Sequence, residues 1–453
     1  MSTSPSRFSP QDLTERALYR RAVEAINWGI PAVDSDLMLQ AAIRDVGARI
    51  NQIVYWSHLP NWKNQTLTPN PDSIYFMPFF STADVGPLVL EIPPADEGSI
   101  TGSIMDCWQI PLEDVGPAGA DGGKGGKYLI FPPGSAEKPP DGYIVLPSSN
   151  YMGYGLLRSI LKTRTDADIA KAVAYGKRIK LYPLTQSANP ASTTFVDAVD
   201  VIVDATIPYD VRFFRSLDRV IQIEPWIDRD RVMIDMLRTL GIEKGQRFDP
   251  TAKTIAILEA AAEEAHARFD LLYETSYQPY NQGTRWFLPA DKAMLDGAAS
   301  GFTQPDSYPI DGRGTAYYCA FSGVKHMGAG QFYLFVTRDK DGNPLDGSAR
   351  YRLTVPPNPP VKQYWSVVLY DFATHALIRN TRWSSRSSQS PGLRTSPDGS
   401  VDIFFAADAP HDQEANWVPT ITGERFEALF RFYGPEPPSF DKTWVLPDIQ
   451  RLP

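Results

Sequence analysis

The hydrophobic period changes three times along the chain. After Ser9-Pro10-Gln11-Asp12, the positions Leu13, Ala17, Leu18, Val23, Ile26 and Trp28 recur at helical spacing. A cap hydroxyl, a proline in the first turn and an acid three residues on are what a helix start requires. Pro31 is predicted to end this helix, and a second short one is predicted over "DSDLMLQAAIRDVG", stopped at Gly47. From about residue 50 to 150 the pattern shifts to short β-rich runs: "SIYFMPFF", "GPLVLEIPP", "SITGSIMDCWQIP", "KYLIFPPG" and "DGYIVLP". Gly, Pro and Asp punctuate them, which argues for an antiparallel sandwich or barrel.

Helical spacing returns from about 151 to 275. "TDADIAKAVAYGKRIKL" offers Thr165 or Asp166 as a cap, and "PYDVRFFRSLDRVIQIEP" and "IDRDRVMIDMLRTLGI" follow. In "DPTAKTIAILEAAAEEAHARFDLLYE", Asp249 is the expected cap, and Ile255, Leu258, Ala262, Ala265, Phe269 and Leu272 trace one face. That face is expected to pack on a sandwich. From about 310 the strand pattern resumes in "TAYYCAFSG", "GQFYLFVTRD", "RYRLTVPP", "VKQYWSVVLYD", "VDIFFAA" and "RFEALFRFYGP". The Asp-Gly pairs in "KDGNPLDG" and "SPDGS" read as hairpin turns. No fixed-period repeat is present. The expected fold class is α+β, mainly β: two antiparallel β-sandwich domains with a helical block between them and N-terminal helices. Expected boundaries are 1–50 for the N-terminal helices packing on the first sandwich, 51–150 for that sandwich, 151–300 for the helical block and connector, and 301–453 for the second sandwich.

Composition narrows the function classes. At 453 residues the chain exceeds one ordinary core. A net charge of −9 argues against a nucleic-acid footprint, which needs a basic patch. The 40 prolines and the 12% aromatic share suit many turns and bulky sandwich cores. Cys107 and Cys319 lie far apart in strand-like runs and are expected to be buried free thiols. "MSTSPSRFSPQDLTERALYRR" shows no apolar signal core and no run is long enough for a membrane span, so a soluble cytoplasmic protein without membrane partners is expected.

Several motifs in combination carry a family resemblance. "TPNPDSIYF" followed by "GPLVLEIPP", a strand ending in "DCWQIP" and then "GGKGGKYLIFPPG" resemble the domain of unknown function numbered 1254. "DGNPLDGSARYRLTVPP", "PPVKQYWSVVLYD", "RNTRW", "SPDGSVDIFF", "NWVP" and "FRFYGPEPP" resemble its regular companion, the domain of unknown function numbered 1214. The resemblance implies a pair of β-sandwiches, the C-terminal one jelly-roll-like, with a helical element between, and it leans toward a homo-oligomer. It implies no activity. Where the family usually has Asn-Asp or Asn-Arg-Asp, this chain has Asn70-Pro71-Asp72, which removes one backbone donor.

Nucleophile elbows, Walker loops, dinucleotide fingerprints and His-Glu-x-x-His are absent, and His58, His266, His326, His375 and His411 do not pair on a helix face. No metal site is placed and the cofactor is left unknown. The stretch "YWSHLPNWKNQTLTPNPDSIYF" crowds rings, an amide, an imidazole and a carboxylate together, a mixture that suits an apolar pocket with converging polar groups. Candidate catalytic residues are Asp72, Tyr75 and His58. Candidate substrate-binding residues are Tyr55, Trp56, Asn70, Trp108 and Arg382. The opposing reading is that Asn-Pro-Asp is turn chemistry, that Trp108 is core, and that Arg382 staples loops near Asn380, Asn416 and Trp417. Strand alternation would put Asp106 and Trp108 on one face. "GADGGKGGKY" reads as a hairpin or lid whose Lys124 and Lys127 meet an anion or only solvent. The acidic run 197–210 reads as a solvated edge or a calcium site.

The leading expectation is an enzyme, hydrolase- or lyase-like, acting on a small organic or aromatic molecule. The alternatives are a non-catalytic oligomeric binding protein and a carbohydrate-active enzyme. An enclosed cavity containing Asp72 would favour the enzyme, and a solid core there the binding protein. An open groove with carboxylates on both walls would favour the glycosidase.

Overall fold

The computed structural model describes residues 8–320, 325–326 and 330–453. The N-terminal helix runs from Pro10 to Arg44 without a break. Ser9 caps it through a reciprocal capping box with Asp12. Pro31 therefore does not end the helix, and the two helices expected here are one. A mid-helix proline costs about 3 kcal/mol. The segment Ala22–Val33 is buried almost throughout and four other helices pack around it, which outweighs one lost backbone bond. The helix's later turns place Met38, Ala41 and Ala42 on the outer face of the first sheet, against Trp56, Tyr75, Met77 and Phe79.

The first β-region is a sandwich. A six-stranded sheet has the order Phe195–Asp197, Gln52–Tyr55, Ile74–Ser81, Met152–Ser159, Ile100–Asp106, Pro111–Val115. It faces a four-stranded sheet ordered Lys180–Pro183, Leu88–Ile92, Gly126–Phe131, Ile144–Pro147. One core, including Ile53, Phe76, Leu90, Ile104, Tyr128 and Leu157, fills the space between them. The glycine-rich stretch after Val115 is not a hairpin: it crosses from one sheet to the other and folds onto Asp121, whose carboxylate accepts from the Gly116 amide and the Tyr128 hydroxyl.

The second β-region is also a sandwich, of Gln331–Val336, Phe426–Pro435, Val361–Asp371 and Ser385–Ser387 against Trp417–Pro419, Val401–Ala406, Arg350–Val355 and Gln450–Leu452. Period-two alternation decides what faces what. Phe430, Phe432, Trp365, Val367, Leu334 and Val336 point into this sandwich. Glu427, Arg431, Tyr433, Tyr364, Tyr370, Tyr333 and Phe335 sit at the opposite parity, on the face toward the rest of the molecule. The Asp-Gly stretches form short local hairpin turns, with Arg338 bridged antiparallel to Pro344 and the Ser396 amide bonded to the Ser400 carbonyl, but the longer strands they connect lie in opposite sheets. Most pairings are antiparallel, with short parallel edges such as Gly126–Phe131 with Ile144–Pro147.

Between them stand the helices. Asp210 caps Val211–Ile223, Thr165 caps Asp166–Gly176, and Gly241 ends Met233–Leu240 at φ 86°. The helix Ala252–Thr275 is capped by Thr251 rather than Asp249; its stripe of Leu258, Ala261, Ala262, Ala265 and Phe269 meets other helices, and only its last turn reaches the second sandwich, through Tyr273 against Phe335, Phe372 and Glu427. "TAYYC" is helix, not strand: Ile310–Cys319 packs along the N-terminal helix with Tyr317, Tyr318 and Cys319 buried. The end of that expected strand, residues 321–323, lies outside the described residues. Packing overrides the β-propensity of an aromatic run. Both cysteines are free and buried. Among the described residues no helix is long and apolar enough to cross a membrane.

Candidate functional site

Residues 68–73, "TPNPDS", form a buried joint between the two sandwiches. The Thr68 amide donates to the His375 carbonyl at 2.7 Å, and the Thr68 carbonyl accepts from Arg431 Nη2 at 2.7 Å. The Pro69 carbonyl accepts from the Tyr370 hydroxyl at 2.7 Å. Asn70 Nδ2 lies 3.0 Å from Ser73 Oγ, 3.0 Å from the Tyr364 hydroxyl and 2.7 Å from the Tyr433 hydroxyl, while its amide donates to the Tyr75 hydroxyl at 2.7 Å. A buried loop must satisfy every backbone donor. Pro69 and Pro71 have none, which makes the loop easier to bury.

The candidate residues scatter around this joint. Asp72 is buried, with Oδ1 held by Arg164 and by Ser385 Oγ at 3.0 Å and Oδ2 without a partner. It stands in packed core rather than in a cavity. Tyr75 is buried beneath the Arg158 guanidinium, 5.2 Å from its ring centroid. His58 is exposed. Tyr55 packs on Phe76 and Trp56 on Tyr75, both as core. Trp108 is core against Trp28, with centroids 4.6 Å apart. It does not share a strand face with Asp106, because the strand ends at Asp106, whose Oδ1 accepts from the Trp108 and Ile110 amides at 2.9 Å. Arg382 is a surface residue paired with Glu414, and Asn380 is exposed. Asn416 is the loop staple, bonded to Arg394 and Asp402 backbone. Lys124 and Lys127 are exposed. In the run 197–210, Asp200, Asp204 and Asp210 pair with Lys63, Arg379 and Arg212, and Asp197 accepts backbone amides.

The structure brings together a different set. A cavity of about 280 Å³ opens beside the joint, walled by Thr68 and Arg158 from the first β-region, Met294, Ala298, Ala316 and Ala320 from helices, and Gln331, Tyr333, Phe335 and Arg431 from the second sandwich. Its walls are mostly apolar. Its deep polar end holds two guanidiniums, Arg158 at 5% exposure and Arg431 at 2%. Among the described residues no carboxylate lies within ion-pair reach of either. Arg158 Nε and Arg431 Nε and Nη1 lack hydrogen-bond partners. Tyrosines surround both: Tyr75, Tyr333 and Tyr433 neighbour each, and Tyr370 neighbours Arg431. The other charged lining residues are engaged, Lys325 with Glu113 and Asp296 with Lys292.

Arg158 and Arg431 escape a motif-based reading because each is a single charge inside a strand. The available signal is a lone arginine inside a run that reads as a buried strand: Arg158 after two leucines in "MGYGLLRS" and Arg431 between two phenylalanines in "FEALFRFYGP". Tyr75 and Arg158 are direct partners across neighbouring strands. The expected loop is thus adjacent to the cavity and supplies Thr68 to its wall.

The model of the protein of unknown function DUF1254 matches residues 50–183, and that of the protein of unknown function DUF1214 matches residues 330–437. The chain belongs to the proteins that join these two domains. Arg158 comes from the first matched segment, Arg431 from the second, and the helical walls from between them. The crystal structure of a Vibrio parahaemolyticus protein shares the fold at a TM-score of 0.59 and 17% identity, over 96% of this chain and 100% of that one. An uncharacterised protein from Burkholderia cenocepacia aligns at a TM-score of 0.43 and 14% identity, over 97% of this chain and 95% of that one. No curated protein matches the chain.

Proposed function

We propose that the interdomain cavity of this protein binds a small organic carboxylate with an apolar body, and that any chemistry takes place there rather than at Asp72, whose surroundings are solid core. One observation carries this reading: Arg158 and Arg431 are buried, face the cavity, and have no carboxylate partner among the described residues. Burying an unpaired charge costs several kcal/mol. A ligand carboxylate offsets that cost and matches the planar donor fork of arginine. The volume, about 280 Å³, is that of about nine liquid waters, which suits a molecule the size of phenylacetate or hexanoate. Lyase chemistry fits better than hydrolysis. The described lining holds no Ser, Cys or His, whereas a tyrosine hydroxyl stands beside the guanidiniums for proton transfer next to a clamped carboxylate.

Thermal unfolding with a ligand panel tests the proposal. Phenylacetate and hexanoate should raise the melting temperature, and phenylacetamide and hexanamide should not. Arg158→Gln and Arg431→Gln should each weaken carboxylate binding by roughly 10- to 100-fold, the worth of a charged hydrogen bond. Equal stabilisation by acids and amides, or unweakened binding in both variants, would refute it.

A further inference from the structure

We infer that Tyr433 and Tyr333 form the proton relay of this pocket, with Tyr433 as the group that balances Arg158 and Arg431 and Tyr333 as the hydroxyl that passes it a proton when a carboxylate binds. The inference rests on the carboxylate reading above. Tyr433 is fully buried behind Tyr333, its ring stacked on Tyr364 at 4.4 Å. Its oxygen takes a hydrogen bond from Asn70 Nδ2 at 2.7 Å and lies 3.3 Å from the Tyr333 hydroxyl, which lines the cavity. Asn70 is an N–H donor at that contact, so the Tyr433 oxygen acts there as an acceptor.

The groups around Tyr433 come from six elements. Arg158 reaches it from Met152–Ser159 and Arg431 from its own strand. Tyr333, Tyr364 with Tyr370, and Tyr75 come from three further strands, and Asn70 comes from the joint. The buried carboxylates on these elements are engaged elsewhere: Asp72 with Arg164 and Ser385, Glu427 with Tyr273 and His375. Apart from the Thr68 carbonyl that accepts from Arg431, the two cations therefore face phenols and no carboxylate among the described residues. Burial by itself raises the Tyr433 pKa, but the two arginines and the hydrogen bonds from Tyr333 and Asn70 outweigh it and bring it below the ordinary phenol value. Tyr333 is pushed the other way, first by burial and then by Tyr433. Neighbours with pKa values driven apart are what an acid–base pair requires.

The proton balance is simple. With Tyr433 as phenolate, the site holds two cations and one anion. A carboxylate that enters supplies the second anion, and repulsion between the two anions favours protonating one of them. Tyr333 gives its proton to the Tyr433 oxygen and takes a replacement proton from solvent, a net uptake of one proton per carboxylate bound. Affinity must then fall as pH rises through the Tyr433 midpoint, and by reciprocity the ligand must raise that midpoint.

Ultraviolet difference titration of phenolate in the full chain reads this directly. The wild type should show a transition of one tyrosine with its midpoint below the ordinary value of about 10. Tyr433→Phe should abolish it and Tyr364→Phe should keep it. Saturating phenylacetate should move that midpoint up by about one unit or more, the shift a neighbouring like charge produces. No early transition in the wild type, or one that survives in Tyr433→Phe, overturns the relay. Phenylacetate that binds without moving the midpoint also overturns it and leaves the pocket standing. An early transition in a protein that binds no carboxylate at any pH refutes the carboxylate reading, while Tyr433 stands as the counter-charge of the arginines.

Discussion

Asp72 holds Arg164 and Ser385 from inside packed core, so its effect is expected in stability. Arg164 keeps 19% of its side chain exposed, so solvent recovers part of the loss when the pair is broken. Asp72→Asn should cost roughly 2 kcal/mol, below the 3–5 typical of a fully buried pair, and leave phenylacetate affinity per folded molecule unchanged. Denaturant melts and binding on one preparation check this, and a binding defect without a stability defect would return Asp72 to the site. Asp106 gives a pH-dependent case. Burial pushes its carboxyl up to about 6 against the partial relief of two backbone amides and Arg313. Its native pKa exceeds the unfolded value, so its contribution to stability is full below about pH 4 and is lost as pH rises through about 6. Asp106→Asn keeps an oxygen for the Trp108 and Ile110 amides. Its stability relative to wild type should rise by roughly 2–3 kcal/mol between pH 4 and 8, and a flat difference would contradict the assignment. At this scale the sequence pointed to Asn70 and Tyr75 because they crowd into one loop. It did not point to Arg158, Tyr333, Arg431 and Tyr433, which lie far apart along the chain and meet only through strand register.

Elements were legible where local chemistry agrees with packing. The Ser9 and Thr165 caps, the strands "GPLVLEI" and "VKQYWSVVLYD" and the helix over 252–275 all follow from period and punctuation. Misreadings fall where tertiary contact outweighs local preference. Pro31 stays helical because helices surround it, and "TAYYC" is helical because it packs on that same helix. The contact is close at Gly314, where an added Cβ would stand 2.3 Å from Asn27 Oδ1 and 2.9 Å from the Asn27 carbonyl oxygen. Gly314→Ala should therefore destabilise by roughly 1–3 kcal/mol, the usual penalty for overpacking, although alanine is the better helix former. A stabilised variant in thermal melts would show that the two helices have room to part.

For the whole molecule, the pairing of two sandwiches in one chain has a structural consequence: each contributes one arginine and part of one wall to a cavity neither could build alone. Edge strands at Phe195–Asp197 and Ile144–Pro147 also offer backbone for pairing. A homo-oligomer is expected on that ground, and a monomer mass by light scattering at micromolar concentration would contradict it. The role of the cavity turns on where a carboxylate sits in it. A crystal structure of the protein with phenylacetate tests it most directly. The carboxylate should lie within about 2.7–3.0 Å of guanidinium nitrogens of both Arg158 and Arg431, with the ring against Met294 and Phe335. Phenylacetate bound elsewhere, or seated in the cavity with its carboxylate turned away from both arginines, would contradict it.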